Sequence, residues 1–399
     1  MSKQLKLGQV VKYSEERVDV GSVPLEDFIT VDNMLPNKGG VIIAENMPPQ
    51  GSTLPRYKKE NILVGNIRPY LKKIWFADKE GGAAADVLIF DVNKNYYPEY
   101  VYYAMFRDDF FDHMMRGKKG TKMPRGNKNQ ILDFLIPDFE YTIQEKIAAV
   151  LSSLDAKIEL NNCINAELEA IAKMLYDYWF VQFDFPNEEG KPYKYSGGKM
   201  KWNEELKKEI PEGWRVGSLL DIADYANGLP CQKYRPVGKK VLPVVKIKEM
   251  HEGFSASTEY VRPDIPKKAI IENGDVLFSW SASLEVKLWT GGKSALNQHI
   301  FKVESEKYPK SFYYFQLINY LEHFKMIADK RKTTMGHITQ DHLEQSRIAL
   351  PPRPLSEQLE TIIAPIFNKI ITNDVENQTL SGFRDWLLPM LMNSQVKVM

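Results

Sequence analysis

The sequence predicts an α+β protein. Two similar mixed α/β domains are separated by two long helices that pair as an antiparallel coiled coil, and the whole is a pseudo-two-fold internal repeat. Three observations carry this reading. The stretch 142–183 (TIQEKIAAVLSSLDAKIELNNCINAELEAIAKMLYDYWFVQF) contains no Pro and no Gly. Within it Ile147, Leu151, Leu154, Ile158, Asn161, Asn165, Leu168, Ala172 and Leu175 step by alternating four and three residues, the seam of a heptad helix. A second stretch, from Ser356, copies it with Ile363, Ile366, Ile370, Asn373, Asn377, Leu380, Arg384 and Leu387. Finally, the segments preceding the two helices match each other at an offset of 211–214 residues, a long-period tandem duplication rather than a short-period solenoid.

The paired asparagines set the helix argument. A polar residue on a seam fixes register and partner number at some cost in stability. Asn161 and Asn165 fall on Asn373 and Asn377, and Leu168 on Leu380, so the simplest arrangement is one antiparallel pair within a single chain. The plainer alternative is two unrelated core helices, each with an amphipathic stripe.

In the first domain, 61–77 (NILVGNIRPYLKKIWFA) reads as strands broken at Arg68-Pro69, and 85–92 (ADVLIFDV) as a short apolar strand. An aromatic-rich helix follows over 97–114, after Pro98. Residues 116–130 (RGKKGTKMPRGNKNQ) hold six basic residues, three glycines, one proline and no acid, and so form a basic loop. A last strand over 131–139 leads into the first long helix. The polar, Gly/Pro-containing stretch from Asp184 to the PEGW at Pro211 reads as a linker. In the second domain 272–284 sits where 61–71 sat, 297–303 matches 85–92 with Phe301 on Phe90, and 308–324 matches 97–114 with Tyr313-Tyr314 on Tyr102-Tyr103. The loop 330–340 (KRKTTMGHITQ) matches the basic loop, with Met335 on Met123.

Composition bounds the function. A chain of 399 residues fits two or three domains, and its apolar and charged fractions are those of a globular protein. No run of about 18 apolar residues exists, so no membrane partner is expected, and MSKQLKLGQVVKYSEERVD has no apolar core for a secretory signal. Two cysteines, Cys163 and Cys231, make neither a disulfide framework nor a Cys-rich zinc site; both are expected reduced, in a cytoplasm. With a net charge of +1, any nucleic-acid contact must rest on local basic clusters.

Motifs for chemistry fail on inspection. TGGKSAL (290–296) lacks the glycine a P-loop requires at the position of Lys287. No GxGxxG and no Asp-Pro-Pro-Tyr-type motif occurs, and MPPQ (47–50) lacks both the acid or amide and the aromatic. His337 and His342 are five apart without a zinc-protease glutamate, and the six histidines read as surface or loop residues. Asp138 and Glu145 lack the lysine spacing of a nuclease site. The chain is therefore expected to need no cofactor or metal and to perform no chemistry by itself. A self-contained methyltransferase or nuclease is the disfavoured enzyme alternative.

Two similar domains on an antiparallel helix pair, each with a Gly-containing basic loop, suit double-stranded DNA. B-DNA is itself pseudo-two-fold, and half-sites roughly 34 Å apart lie one helical turn from each other. Because the loops diverge, the site should be asymmetric and bipartite. In the first domain Lys118, Lys119, Lys122, Arg125 and Lys128 suit phosphate contact, although a functionless solvated loop would look the same. Arg68, Tyr70, Lys72 and Lys73 lie beside a strand end, where an arginine reaches guanine edges. In the second domain the candidates are Lys330, Arg331, Lys332, Thr333, Thr334 and His337. Trp280 and Ser281, with Ser283, replace Arg68-Pro69-Tyr70, so this end reads its half-site differently. Asn297 and Gln298 pair with adenine edges or cap a strand, and Lys246 and Lys248 alternate along one strand face. The aromatics Tyr102, Tyr103, Phe110, Phe111, Tyr313 and Tyr314 are at helical spacing and read as core rather than base-stacking. In 176–183 and 383–392 Trp179, Phe180, Phe183, Trp386, Leu387 and Met390 exceed what a two-stranded seam requires; they either cover the helix ends or bind a partner.

The residues also carry a resemblance. IAKMLYDYWFVQFDFPNEEGKPYKYSGGKM (171–200) is similar to the central conserved region, and its exit, of the specificity subunits of type I restriction–modification systems. LSEQLETI and LLPMLMN (387–393) resemble that family's distal region, and PEGW (211–214) the usual start of its second target-recognition domain. The resemblance covers essentially the whole chain. It implies target-recognition domains at 1–141 and 211–355, a central helix at 142–183, a linker at 184–210 and a distal helix at 356–395. It further implies a non-catalytic subunit whose helices dock a pair of adenine-methylating subunits, with translocating restriction subunits joining the complex, and it tips the apolar helix ends toward partner binding. The chain departs from the family at its N-terminus, where LGQVVKYSEERV begins without a PEGW-like opening; the first domain starts abruptly there, or its start is trimmed. A coiled-coil scaffold whose two globular domains bind protein is the structural alternative.

Overall fold

The structure, a computed structural model, describes residues 3–49, 51–118, 120, 122–330, 337–396 and 398. Its contacts divide the chain into two compact units, Met1–Lys157 with Thr379–Met399, and Ile158–Gln378. The division runs through both long helices, so each unit owns a sheet-rich domain and part of the helix pair.

In the first unit a four-stranded antiparallel sheet runs in the order Val11–Tyr13, Val87–Val92, Ile62–Gly65, Ile74–Phe76. The central strand reads ILVG because both of its faces are covered. Ile62 and Val64 join Leu88, Phe90 and the helices in one core cluster, whereas Leu63 and Ile89 point the other way, onto Ile29, Tyr57 and Ala83 of a second sheet. The period of two thus splits one strand between two cores. The expected helix over 97–114 is two helices, Pro98–Phe106 and Asp108–Arg116, with Arg107 extended between them. Asp108 and Asp109 then occupy the first turn of the second helix, where its N-terminal dipole favours them.

The second unit repeats this plan. Asp224–Asn227, Ile300–Glu304, Val276–Ser279 and Glu285–Leu288 form the matching antiparallel sheet. Val276 and Phe278 face the helix-side core; Leu277 and Ile300 face Val245, Ile271 and Leu296. Here the helix is one element, Lys310–Lys330. One alignment needs correction. Phe90 pairs with Ile62, but the residue opposite Val276 is Val303, not Phe301. The strand is displaced by two residues from the sequence match. A two-residue shift leaves every side chain on its own face, so the hydrophobic pattern does not detect it. The second sheets share three strands: Phe28–Ile29, Gly81–Ala83 and Thr53–Tyr57 match Leu242–Val245, Ser294–Leu296 and Ile270–Ile271. The fourth strand is added on opposite edges, Arg17–Asp19 beside Thr53–Tyr57 and Tyr260–Val261 beside Leu242–Val245.

The long helices span Tyr141–Phe180 and Arg353–Met392, 40 residues each and so about 60 Å long. Within the second unit the seam is an asparagine ladder. Asn161 Nδ2 donates to Asn377 Oδ1 at 2.9 Å, Asn373 Nδ2 to Asn165 Oδ1 at 2.8 Å, and Asn165 Nδ2 to Asp374 Oδ1 at 2.7 Å. Partners descend in one helix as they ascend in the other, which is the antiparallel pairing. Within the first unit the seam is ionic: Arg384 Nη1 meets Asp155 Oδ1 at 2.6 Å, and its guanidinium lies 4.6 Å from the Phe106 ring centroid. Among the described residues no helix is long and apolar enough to cross a membrane.

The connection after the first long helix is folded, not free. Met200–Asn203 pairs with Lys208–Pro211 in a hairpin. Phe185 stacks on Tyr193 at 4.6 Å and on Trp214 at 5.5 Å, while Tyr195 and Trp202 of the same stretch are exposed. Its composition carries the charge of a linker, but three aromatics suffice to anchor it.

Candidate nucleic-acid interface

In the first unit the chain leaves the central strand at Gly65 and turns through Asn66–Lys73. Arg68 (φ 50°) and Lys72 (φ 53°) are both left-handed around the 3-10 turn Pro69–Leu71. Left-handed conformations on bulky residues cost about 1 kcal/mol or more each and persist only where the surroundings over-determine them. The surroundings do so here. Asn37 N and Lys38 N donate to the carbonyls of Leu71 and Lys72 at 2.8 and 2.9 Å, and Lys73 Nζ reaches Val31 O at 2.5 Å. Asp108 receives Lys38 at 2.7 Å and Lys72 at 2.9 Å. Burial pushes the Asp108 carboxyl up, but these two lysines win and hold it below its usual range. On its other side the turn is clamped to the basic loop: Arg68 N donates to Pro124 O at 2.8 Å, Gly126 N to Asn66 O at 3.2 Å, and Ile67 bridges Arg125. Asn66 N in turn donates to Asp86 O at 2.9 Å, and Arg125 Nη2 contacts both Asp86 carboxylate oxygens, at 3.1 and 3.2 Å.

The second unit builds the same clamp. Ile338 N donates to Trp280 O at 2.9 Å, Trp280 N to His299 O at 3.4 Å, and Ser281 bridges His337. These match the first clamp at offsets of 214 (66 to 280), 213 (86 to 299) and 212 (125 to 337). Ala282 is left-handed there too (φ 60°). The side chains differ throughout. Asn66, Asp86 and Arg125 become Trp280, His299 and His337, and both imidazoles lie against the indole, at 5.6 and 5.4 Å. Trp280 Nε1 donates to Asn227 Oδ1 at 3.0 Å. Gly126, whose added Cβ would sit 2.8 Å from Asn66 Oδ1, becomes buried Ile338. Small-and-polar in one clamp is large-and-aromatic in the other.

The expected site residues therefore sort by place. Arg68, Tyr70, Lys118, Lys122, Arg125 and Lys128 are exposed around the first clamp, Lys128 lying 5.6 Å from the Tyr13 ring centroid. Lys72 and Lys73 instead hold the turn from beneath, and burial keeps the Lys73 ammonium below its usual range. In the second unit His337 is exposed, Trp280 and Gln298 are half-buried, and Ser281 is buried at the bridge. Asn297 is buried; its N–H donates to Val245 O at 3.0 Å and its Oδ1 accepts from His299 N at 3.4 Å, the strand-capping role rather than a base contact. Lys246 and Lys248 do not share a strand face. The strand ends at Val245, Lys246 caps the helix Ile247–Glu252 that contains Lys248, and they bind Glu259 at 2.5 Å and Ser257 at 3.1 Å. Lys119, Arg331, Lys332, Thr333 and Thr334 lie outside the described residues, as does the side chain of Lys330. Asn66, Asp86 and His299 carried no sequence signal of their own.

The apolar helix ends need a parallel correction. Trp179, Phe180 and Phe183 are buried in the second unit's core, the two phenylalanines against Trp214 at 6.0 and 5.3 Å, and Leu387 is buried in the first unit's core. The surplus apolar surface is covered by the protein's own connection. Trp386 is exposed and stacks on exposed Phe383 at 5.8 Å, while Met390 is half-buried. Exposed Ile171, Met174 and Tyr178, which share one face of the first long helix, and Val181 just beyond its end were not expected.

Among the described residues no cluster of histidine, cysteine or carboxylate side chains could hold a metal ion. Two clamped sheet domains and a long helix pair make a fold built in duplicate. Residues 211–381 match the type I restriction modification DNA specificity domain. The chain is 27% identical, over 75% of its length and 69% of the relative's, to the type I restriction enzyme MjaIX specificity subunit of Methanocaldococcus jannaschii. It is 24% identical, over 99% of both chains, to the type I restriction enzyme HindI specificity subunit of Haemophilus influenzae. The crystal structure of a type I restriction–modification S subunit from M. genitalium shares the fold, with a TM-score of 0.57 at 14% identity over 98% of this chain and 96% of that one. By these likenesses the chain resembles the specificity subunits of type I restriction–modification systems.

Proposed function

We propose that this chain reads an asymmetric, bipartite site on double-stranded DNA, each sheet domain taking one half, and that it docks two methylating subunits, with restriction subunits joining the complex. One observation carries the reading: the same backbone clamp occurs twice, with a left-handed residue at the turn both times and unlike side chains. Strain of this kind clusters at functional sites, and unlike side chains on one frame mean unlike half-sites. Arg68 and Tyr70 face base edges, while Lys118, Lys122 and Lys128 contact phosphates. Exposed Phe383 and Trp386, and the Ile171, Met174 and Tyr178 face, are the surfaces offered to the methylating subunits.

The test is salt dependence. Each phosphate contact contributes about 0.9 to the slope of log affinity against log salt. Replacing Lys118, Lys122 and Lys128 by alanine should weaken duplex binding, flatten that slope by roughly 2–3, and leave base preference unchanged. An unchanged slope removes the phosphate assignment; absence of salt-sensitive duplex binding by the wild-type chain in complex with its methylating subunits removes the DNA reading altogether.

A further inference from the structure

Arg125 sits in a basic loop, where phosphate contact is the ordinary role, yet its surroundings are unlike those of its neighbours. Its Nη2 lies between the two Asp86 carboxylate oxygens, at 3.1 and 3.2 Å. Both ends of the pair are fixed by backbone: Arg125 by the bridge to Ile67, Asp86 by its carbonyl accepting from Asn66 N. The two side chains remain 56% and 39% exposed. Among the described residues the Nη1 and Nε donors have no partner. Nη2 carries a second N–H, and with Nη1 it makes the end-on fork of the planar guanidinium, which matches the O6 and N7 acceptors of guanine. A phosphate contact does not require such fixing, because charge alone serves it.

We propose that Arg125 reads a guanine in the half-site of the first domain, and that Asp86 is the positioning residue that fixes the plane of its guanidinium. This rests on the DNA reading above and adds a base identity to it. The second clamp supports the assignment by contrast. Its equivalent positions are His337 and His299, packed on Trp280, with neither guanidinium nor carboxylate. The second half-site therefore has no guanine read by an arginine fork at this position.

The experiment is selection from a random duplex library by the full-length chain in complex with its methylating subunits. The wild type is compared with Arg125→Lys, Asp86→Asn and His337→Ala. Lysine keeps the charge and loses the fork. Arg125→Lys should reduce discrimination at one G·C pair of the first half-site roughly 10- to 100-fold, with the second half-site unaltered. Asp86→Asn should blur the same pair without lowering total affinity, and His337→Ala should leave that pair intact. An unchanged motif with Arg125→Lys makes the residue a phosphate contact and overturns the proposal, as does a uniform loss across both half-sites. A wild-type chain that selects no split motif overturns the DNA reading itself, which separates the two failures.

Discussion

The two clamps are one backbone carrying two chemistries. Asn66-Gly126 and Trp280-Ile338 occupy matching positions, as do Arg125-Asp86 and His337-His299. The bonds that define the frame are main-chain bonds, so side chains can change without loss of the turn. A duplicated domain can thereby change the chemistry of its clamp while keeping the clamp's backbone. The two seam segments differ in the same spirit: an asparagine ladder in the second unit, a half-buried ion pair in the first.

The largest expected effect tests the seam contrast. Arg384 is 13% exposed and bound to Asp155. Arg384→Met leaves that half-buried carboxylate, among the described residues, with the Tyr103 hydroxyl, and should destabilise the first unit by about 2–3 kcal/mol in denaturant unfolding. The ladder should be more tolerant. Asn373→Leu removes the donor to Asn165 and should cost about 1–3 kcal/mol, with Asn165→Leu added to it recovering part of the loss.

The clamp contrast gives a smaller effect. In Gly126→Ala the new methyl meets Asn66 Oδ1 at 2.8 Å and Ile131 Cδ1 at 3.0 Å, costing about 1–2 kcal/mol by overpacking. Position 338 should show the reverse, losing stability when Ile338 is reduced to alanine, because Trp280 is packed where Asn66 sits. The smallest effect is proton-linked. Burial raises the Asp374 carboxyl, and burial together with Asp374 raises Glu169. A carboxyl raised in the fold binds its proton more tightly there than in the unfolded chain. Its contribution is fully present below about pH 4, the ordinary carboxylate value, and is lost as pH rises through the higher folded value. Asp374→Asn should therefore flatten the pH dependence of the second unit's stability above pH 4; an unaltered pH profile would place the coupling elsewhere.

Much of the fold was legible because its signals are periodic. Heptads, alternating strands and a constant long offset survive in a single chain without any partner information. What was missed lacks period. A two-residue register shift leaves the faces unchanged, hence Phe301 was matched to Phe90. Lys248 is the second residue of a helix that starts at Ile247, only one residue after an apolar strand ends at Val245. Trp179, Phe180 and Phe183 were read as surplus because the aromatics that cover them, Phe185 and Trp214, lie in a stretch with the composition of a linker. At the site, Arg68 and Tyr70 were visible as exposed groups beside a strand end. Asp86 was not, because its partner stands 39 residues away and nothing local marks the contact.

The central claim is that the two clamps read independently. The direct measurement is duplex selection by the Gln298→Ala/His337→Ala double variant in complex with its methylating subunits, beside the wild type. The first half of a split motif should persist unchanged while the second half loses base preference. Loss of both halves together, or of neither, would contradict the account.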